Sequence, residues 1–207
     1  MRTEYFATLA LLVYVTLLVA CESTPDPVAL KFQAMSFANS EWSEPVNLGS
    51  TINTAAVEAN PTLSQDELSL YFLSDRTGGH GGTDIWVSRR ACTSCDWKER
   101  QNLGSVINTS GNEGAPSISI DGHLLFFYST GLPGGHGAFD IYVSRRADPK
   151  NDFGWGTPVN LGPSVNTAAN EAGPDYLQSA EDGTPNLYFG RQPTQPIVEP
   201  TTSTSWR

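Results

Sequence analysis

The clearest periodicity in the chain has a spacing of two. Leu68, Leu70 and Phe72 alternate with Ser69, Tyr71 and Leu73, which predicts a β-strand. Ile85-Trp86-Val87 and Ile141-Tyr142-Val143 are β-branched and aromatic runs between polar residues, and predict two more. Asp121-Gly122 is a hairpin turn signal, Asp66-Glu67 occupies the equivalent place, and the GGHGG and GGHGA strings mark a second turn. Pro45-Val46-Asn47-Leu48 and its counterparts supply a fourth strand. No amphipathic helix is predicted after residue 21.

These strands belong to a repeat. Asn-Leu-Gly occurs at 47–49, 102–104 and 160–162, each preceded by a tryptophan (Trp42, Trp97, Trp155) and followed by Ile/Val-Asn-Thr at 52–54, 107–109 and 165–167. Glu58, Glu113 and Glu171 come next, each three residues before Pro61, Pro116 and Pro174, and all these landmarks step by 55 and then 58 residues. The units run over about 42–96, 97–154 and 155–190. The third departs after its opening, and residues 191–207 form a Pro/Thr/Ser-rich tail. Four short strands per unit and no helix predict an all-β fold of propeller-like blades, each of four antiparallel strands. Closed propellers have about four to eight blades. A ring from about three repeats is therefore expected to be incomplete, or completed by a homo-oligomer. The loss of pattern after Gly190 reads as truncation or degeneration.

The N-terminus carries a different signal. Residues 5–20 are uncharged and mostly apolar, shorter than the roughly 20 residues of a membrane span, and suit the apolar region of a signal peptide. The run ends in Leu18-Val19-Ala20-Cys21, which resembles the lipobox of bacterial lipoproteins. The resemblance implies a signal peptide over 1–20, a lipid on Cys21 and a polar tether over 21–41. Glu22, where aspartate would favour the inner membrane, leans toward the outer membrane by similarity to enterobacterial sorting rules. The expected location is the bacterial cell envelope, lipid-anchored and facing the periplasm.

Composition narrows the partners. With 12 Lys+Arg against 22 Asp+Glu the formal charge is −10, which argues against nucleic acid and anionic headgroups. An aromatic content of 10% is too high for a disordered chain. Cys92 and Cys95 form a C-x-x-C in a strand-and-loop context. In an oxidising compartment a local disulfide fits best, with free thiols next. A redox centre would want a helix N-terminus, and zinc a second ligand pair.

The string N-E-G-x-P-S-I-S-x-D-G-x-x-L-x-F, the Gly-rich turn, D-I-Y-V-S-x-R and W-x-x-P-V-N-L-G resemble the WD-repeat-like, TolB-type β-propeller family over roughly 42–190. The resemblance implies a propeller fold, an exported setting and, for most members, a binding or assembly role. It puts Glu58, Glu113 and Glu171 each just before an innermost strand and near a channel mouth, as a carboxylate ring for a cation or polar ligand, or as acceptors for backbone N–H groups in the loops. Asp84 and Asp140 resemble the structural aspartate of such blades. His80 and His136 read as turn residues, and Arg89-Arg90 and Arg145-Arg146 as solvated strand ends or surface ion pairs. No G-x-S-x-G, H-E-x-x-H or phosphate loop occurs, and neither a cofactor nor a metal is expected. The expected function is non-catalytic binding of an envelope protein or polysaccharide. The alternatives are a glycan hydrolase or lyase using Glu58, Glu113 and Asp175, or a remnant without its own function.

Overall fold

The computed structural model describes residues 44–192. The proposed signal peptide, Cys21, the whole tether, Trp42 and most of the tail lie outside the described residues. Every described strand belongs to the compact unit that begins at Val46.

The described residues contain strands and no helix. A first antiparallel sheet takes β1 (Glu58–Leu63), β2 (Ser69–Ser74), β3 (Asp84–Arg89) and β4 (Gln101–Asn102) in that order. A second repeats it with β5 (Glu113–Ile118), β6 (Leu124–Ser129), β7 (Asp140–Arg145) and β8 (Val159–Asn160). A third sheet has two strands, β9 (Asn170–Gln178) and β10 (Pro185–Gln192). Registers match between copies. Glu58 faces Ser74 as Glu113 faces Ser129, and Trp86 faces Asn102 as Tyr142 faces Asn160. The opening strands of successive sheets lie together, β5 contacting both β1 and β9.

Each hairpin turn has one left-handed residue. Gly122 (φ 73°) and Gly183 (φ 72°) take that place without steric cost, while Glu67 (φ 58°) takes it in the first sheet. Prolines 61, 116 and 174 sit inside the opening strands. This is tolerated because each is the edge strand of its own sheet.

Three expectations shift. The glutamates do not precede the opening strands: Glu58 and Glu113 begin β1 and β5, and Glu171 is the second residue of β9. The short fourth strands after Trp97 and Trp155 pair with the sheet before them, so repeat unit and sheet are out of phase, and the strand expected over residues 45–48 does not form. The third sheet also runs past Gly190, since β10 includes Arg191 and Gln192.

Burial is uneven. All six residues of β2 and of β5 are buried, whereas β10 is mostly exposed. The main core joins Tyr71, Ile85 and Val87 of the first sheet to Leu103, Ile107, Leu125, Phe127, Tyr142 and Trp155. Burying such side chains is worth roughly 1.5–3 kcal/mol each, so the seam between the first two sheets is the most stable part of the fold. A smaller cluster holds Ile52, Leu70, Phe72 and Trp86, with Trp97 against it.

Candidate functional site

The recurring polar residues build one loop three times. The Asn47 side chain accepts the Gly49 amide at 2.7 Å, and Asn102 and Asn160 accept those of Gly104 and Gly162 at 2.8 Å. The inner asparagine then reaches the third strand of the preceding sheet. Asn108 accepts the Ile85 N–H at 2.8 Å and donates to its carbonyl at 2.9 Å, and Asn166 does the same to Ile141. Each pair of bonds works as a clamp on a single residue's backbone.

The glutamates close this loop. Glu58, Glu113 and Glu171 each accept the amide of the threonine four residues earlier, at 3.0, 2.7 and 2.9 Å, and its hydroxyl at 2.6, 2.7 and 2.6 Å. Arg76 donates to Glu58 at 2.8 Å and Arg191 to Glu171 at 2.7 Å. Burial pushes these two carboxyls up. The threonine hydroxyl and amide, with the arginine, outweigh it and hold both below the ordinary range. In the second copy Gly131 stands in the arginine's place and Ser129 donates to Glu113 at 2.6 Å. A Cβ on Gly131 would lie 2.1 Å from the Thr109 hydroxyl oxygen, so the position admits no side chain without rearrangement. Glu113 and Glu171 are fully buried, and all three carboxylates are occupied by their own loops.

Asp84 and Asp140 accept turn amides, from His80 at 2.6 Å and from His136 at 3.0 Å. Both imidazoles are exposed, and these contacts use only the histidine main chain. Cys92 and Cys95 are joined by a disulfide. Among the described residues no group of three or more His, Cys, Asp or Glu could hold a metal ion.

Arg146 does not end its strand in solvent. It is 1% exposed, lies 4.3 Å over the Trp155 ring, and donates to Asp152 and to the Tyr71 hydroxyl, each at 2.9 Å. Tyr71 and Ser69 donate to the same Asp152, and Arg89 pairs with it at 2.5 Å. Burial, then the Asp152 charge, pushes the Tyr71 phenol well up, so it stays a neutral donor. Sequence reasoning missed this cluster because Asp152 has no counterpart in the other copies.

Where the opening strands converge, a cavity of about 220 Å³ is lined by three equivalent tripeptides: Asn60-Pro61-Thr62, Ala115-Pro116-Ser117 and Gly173-Pro174-Asp175. The first residue of each is left-handed, at φ 49°, 47° and 62°, and β1 and β5 bulge there. Asp175 is the sole ionisable residue of the lining, and none of the three glutamates reaches it. The cavity therefore offers a small, mostly neutral surface of hydroxyls and prolines with one carboxylate.

In comparison with known proteins, no family model matches the chain, and no curated protein matches it.

Proposed function

We propose that this chain is a non-catalytic lipoprotein of the bacterial cell envelope, anchored through Cys21, whose sheets are β-propeller blades that bind an envelope protein or polysaccharide. The observation that carries the reading is the use of the recurring polar residues. The asparagines, threonines and glutamates that return once per repeat, and the aspartates of the first two copies, all bond the chain to itself. A residue repeated for architecture is not free for catalysis, which leaves surface recognition as the work of the repeat array.

The four-stranded antiparallel sheets, with opening strands side by side, support the blade reading. The uncharged run ending at Cys21 supports the anchor. Tagged residues 22–207 exposed to envelope extract should retain one protein or glycan saturably. Repeated failure against both classes would overturn the binding role. Palmitate labelling that disappears in Cys21→Ser checks the anchor.

A further inference from the structure

One aromatic position distinguishes the two ends of the array. Tyr71 in β2 is paired with Thr62, Phe126 in β6 with Ser117, and Tyr188 in β10 with Asp175. Thr62, Ser117 and Asp175 are the third residues of the equivalent tripeptides, so these three aromatics share one register position. Each is covered by the sheet that follows it, where one follows. Tyr71 is 0% exposed under the second sheet, and Phe126 is 8% exposed and stacks on Tyr176 of the third at 5.4 Å. No sheet follows Tyr188 among the described residues, and it is 60% exposed.

The opposite end lacks the matching cover. Ile118, Tyr176 and Leu63 occupy one position, opposite Leu125, Leu187 and Leu70. Ile118 is 9% exposed and Tyr176 half-buried, while Leu63 is 43% exposed. Leu103 of the second loop is 5% exposed, and its counterpart Leu48 in the first loop is 45% exposed. Beside Leu48 lies a groove of about 420 Å³ whose lining includes Thr51, Arg90 and Trp97. Arg90 lies 4.5 Å over Trp97, as Arg146 lies over Trp155. In the buried seam Trp155 packs on the Tyr71 ring and Arg146 donates to its hydroxyl. The groove thus holds the counterparts of Tyr71's own neighbours.

We infer that the exposed side of the third sheet docks, through Tyr188, onto the Leu63 and Leu48 side of the first sheet of a second copy. The two surfaces are the halves of a seam that the chain already builds twice internally. Such a contact is heterologous and must close into a ring or run on into filaments. The seat follows from the seams. Only the stoichiometry rests on the propeller reading: two copies bring six sheets, within the range of about four to eight that close, and three would bring nine.

The test is the mass of the full chain, purified in mild detergent, by light scattering coupled to size exclusion. A mass of two copies is expected, falling to one copy in Tyr188→Ser and in Leu63→Asp, and unchanged in Ile120→Ser, which alters an exposed residue elsewhere. Mixing the two monomeric variants should restore a pair held by one seam, because Tyr188 of one variant meets Leu63 of the other, and this shows that both are folded. A single-copy mass for the unaltered chain would overturn the inference. So would a pair indifferent to both substitutions, or a mixture that stays monomeric. A discrete larger ring that dissociates in Tyr188→Ser would keep the seat and overturn the six-sheet propeller.

Discussion

Residues 90–100 connect β3 to β4, and residues 146–158 connect β7 to β8, at equivalent places in two sheets of matching register. Each loop begins with an arginine stacked over a tryptophan, Arg90 on Trp97 and Arg146 on Trp155. From there they diverge. The second loop folds Asp152 beneath Arg146 until both side chains are 1% exposed, with Tyr71 and Ser69 of the first sheet completing the cage. The first has no preceding sheet to lean on among the described residues, and a disulfide across Cys92 and Cys95 closes it locally. The same task, fixing an outer connection, is met by a buried ion pair where a neighbour can enclose it and by a covalent link where none does.

That contrast breaks most visibly at Asp152. Asp152→Asn keeps the shape but leaves Arg146 charged, buried and short of its counterion, a change that typically costs about 3–5 kcal/mol. Urea unfolding of the variant should show it as a large drop in midpoint at unchanged slope. A loss under about 1 kcal/mol would mean that the pair does not hold the seam.

The asparagine clamp separates the same two regions more gently. Asn108→Ala removes the bonds to both backbone groups of Ile85 in a fully buried place, for an expected loss of about 2–3 kcal/mol. Asn53 has the same place in the first loop, yet its side chain donates to Asn47 and grips no strand among the described residues. Asn53→Ala should fall within about 0.5 kcal/mol of the unaltered chain. Equal losses would show that the first loop already grips a strand.

The disulfide closes a loop of only four residues, so little denatured-state entropy is removed by it. Cys92→Ser with Cys95→Ser should cost no more than about 2 kcal/mol in the same titration, less than Asp152→Asn. The reverse order would make the first loop the firmer of the two.

Much of the strand pattern was legible in the sequence, because repetition exposes what serves the architecture. The period-two run at 68–73, the Asp-Gly hairpin and the threefold Asn-Leu-Gly pointed to the strands, their antiparallel order and the fourth strand, which forms at the second and third copies and not at 45–48. The acceptor role of the glutamates was visible as one of three readings, since a residue returning once per unit more often serves the unit. The phase of the sheets was not legible. A repeat fixes a period and not where a sheet begins, and only pairing shows that residues 101–102 belong to the sheet before them. The third-sheet boundary was lost for a related reason. Arg191 does the work of Arg76 from another register position, opposite Glu171 where Ser74 lies opposite Glu58, so the repeat pattern does not mark it. Asp152 was illegible because it occurs once, in a loop whose partners are distant in sequence.

The two arginine-paired glutamates, Glu58 and Glu171, also give the fold a response to acid. Glu58 and Glu171 carry an arginine and Glu113 does not. The first two titrate below their ordinary value near 4.5 in the folded chain. A carboxyl with a lowered folded value stabilises the fold above its unfolded value, and loses that contribution as pH falls through the folded one. Stability should therefore decline below about pH 4.5. Asp66 and Asp121, held down chiefly by the Ser64 and Ser119 hydroxyls, add a matching decline from both four-stranded sheets. Against that shared background Glu58→Gln with Glu171→Gln should flatten the acid limb. The measurement is the urea midpoint from pH 3 to 7. An acid limb as steep as in the unaltered chain would shift the effect to the turn aspartates, and the arginines would then distinguish the sheets by geometry alone.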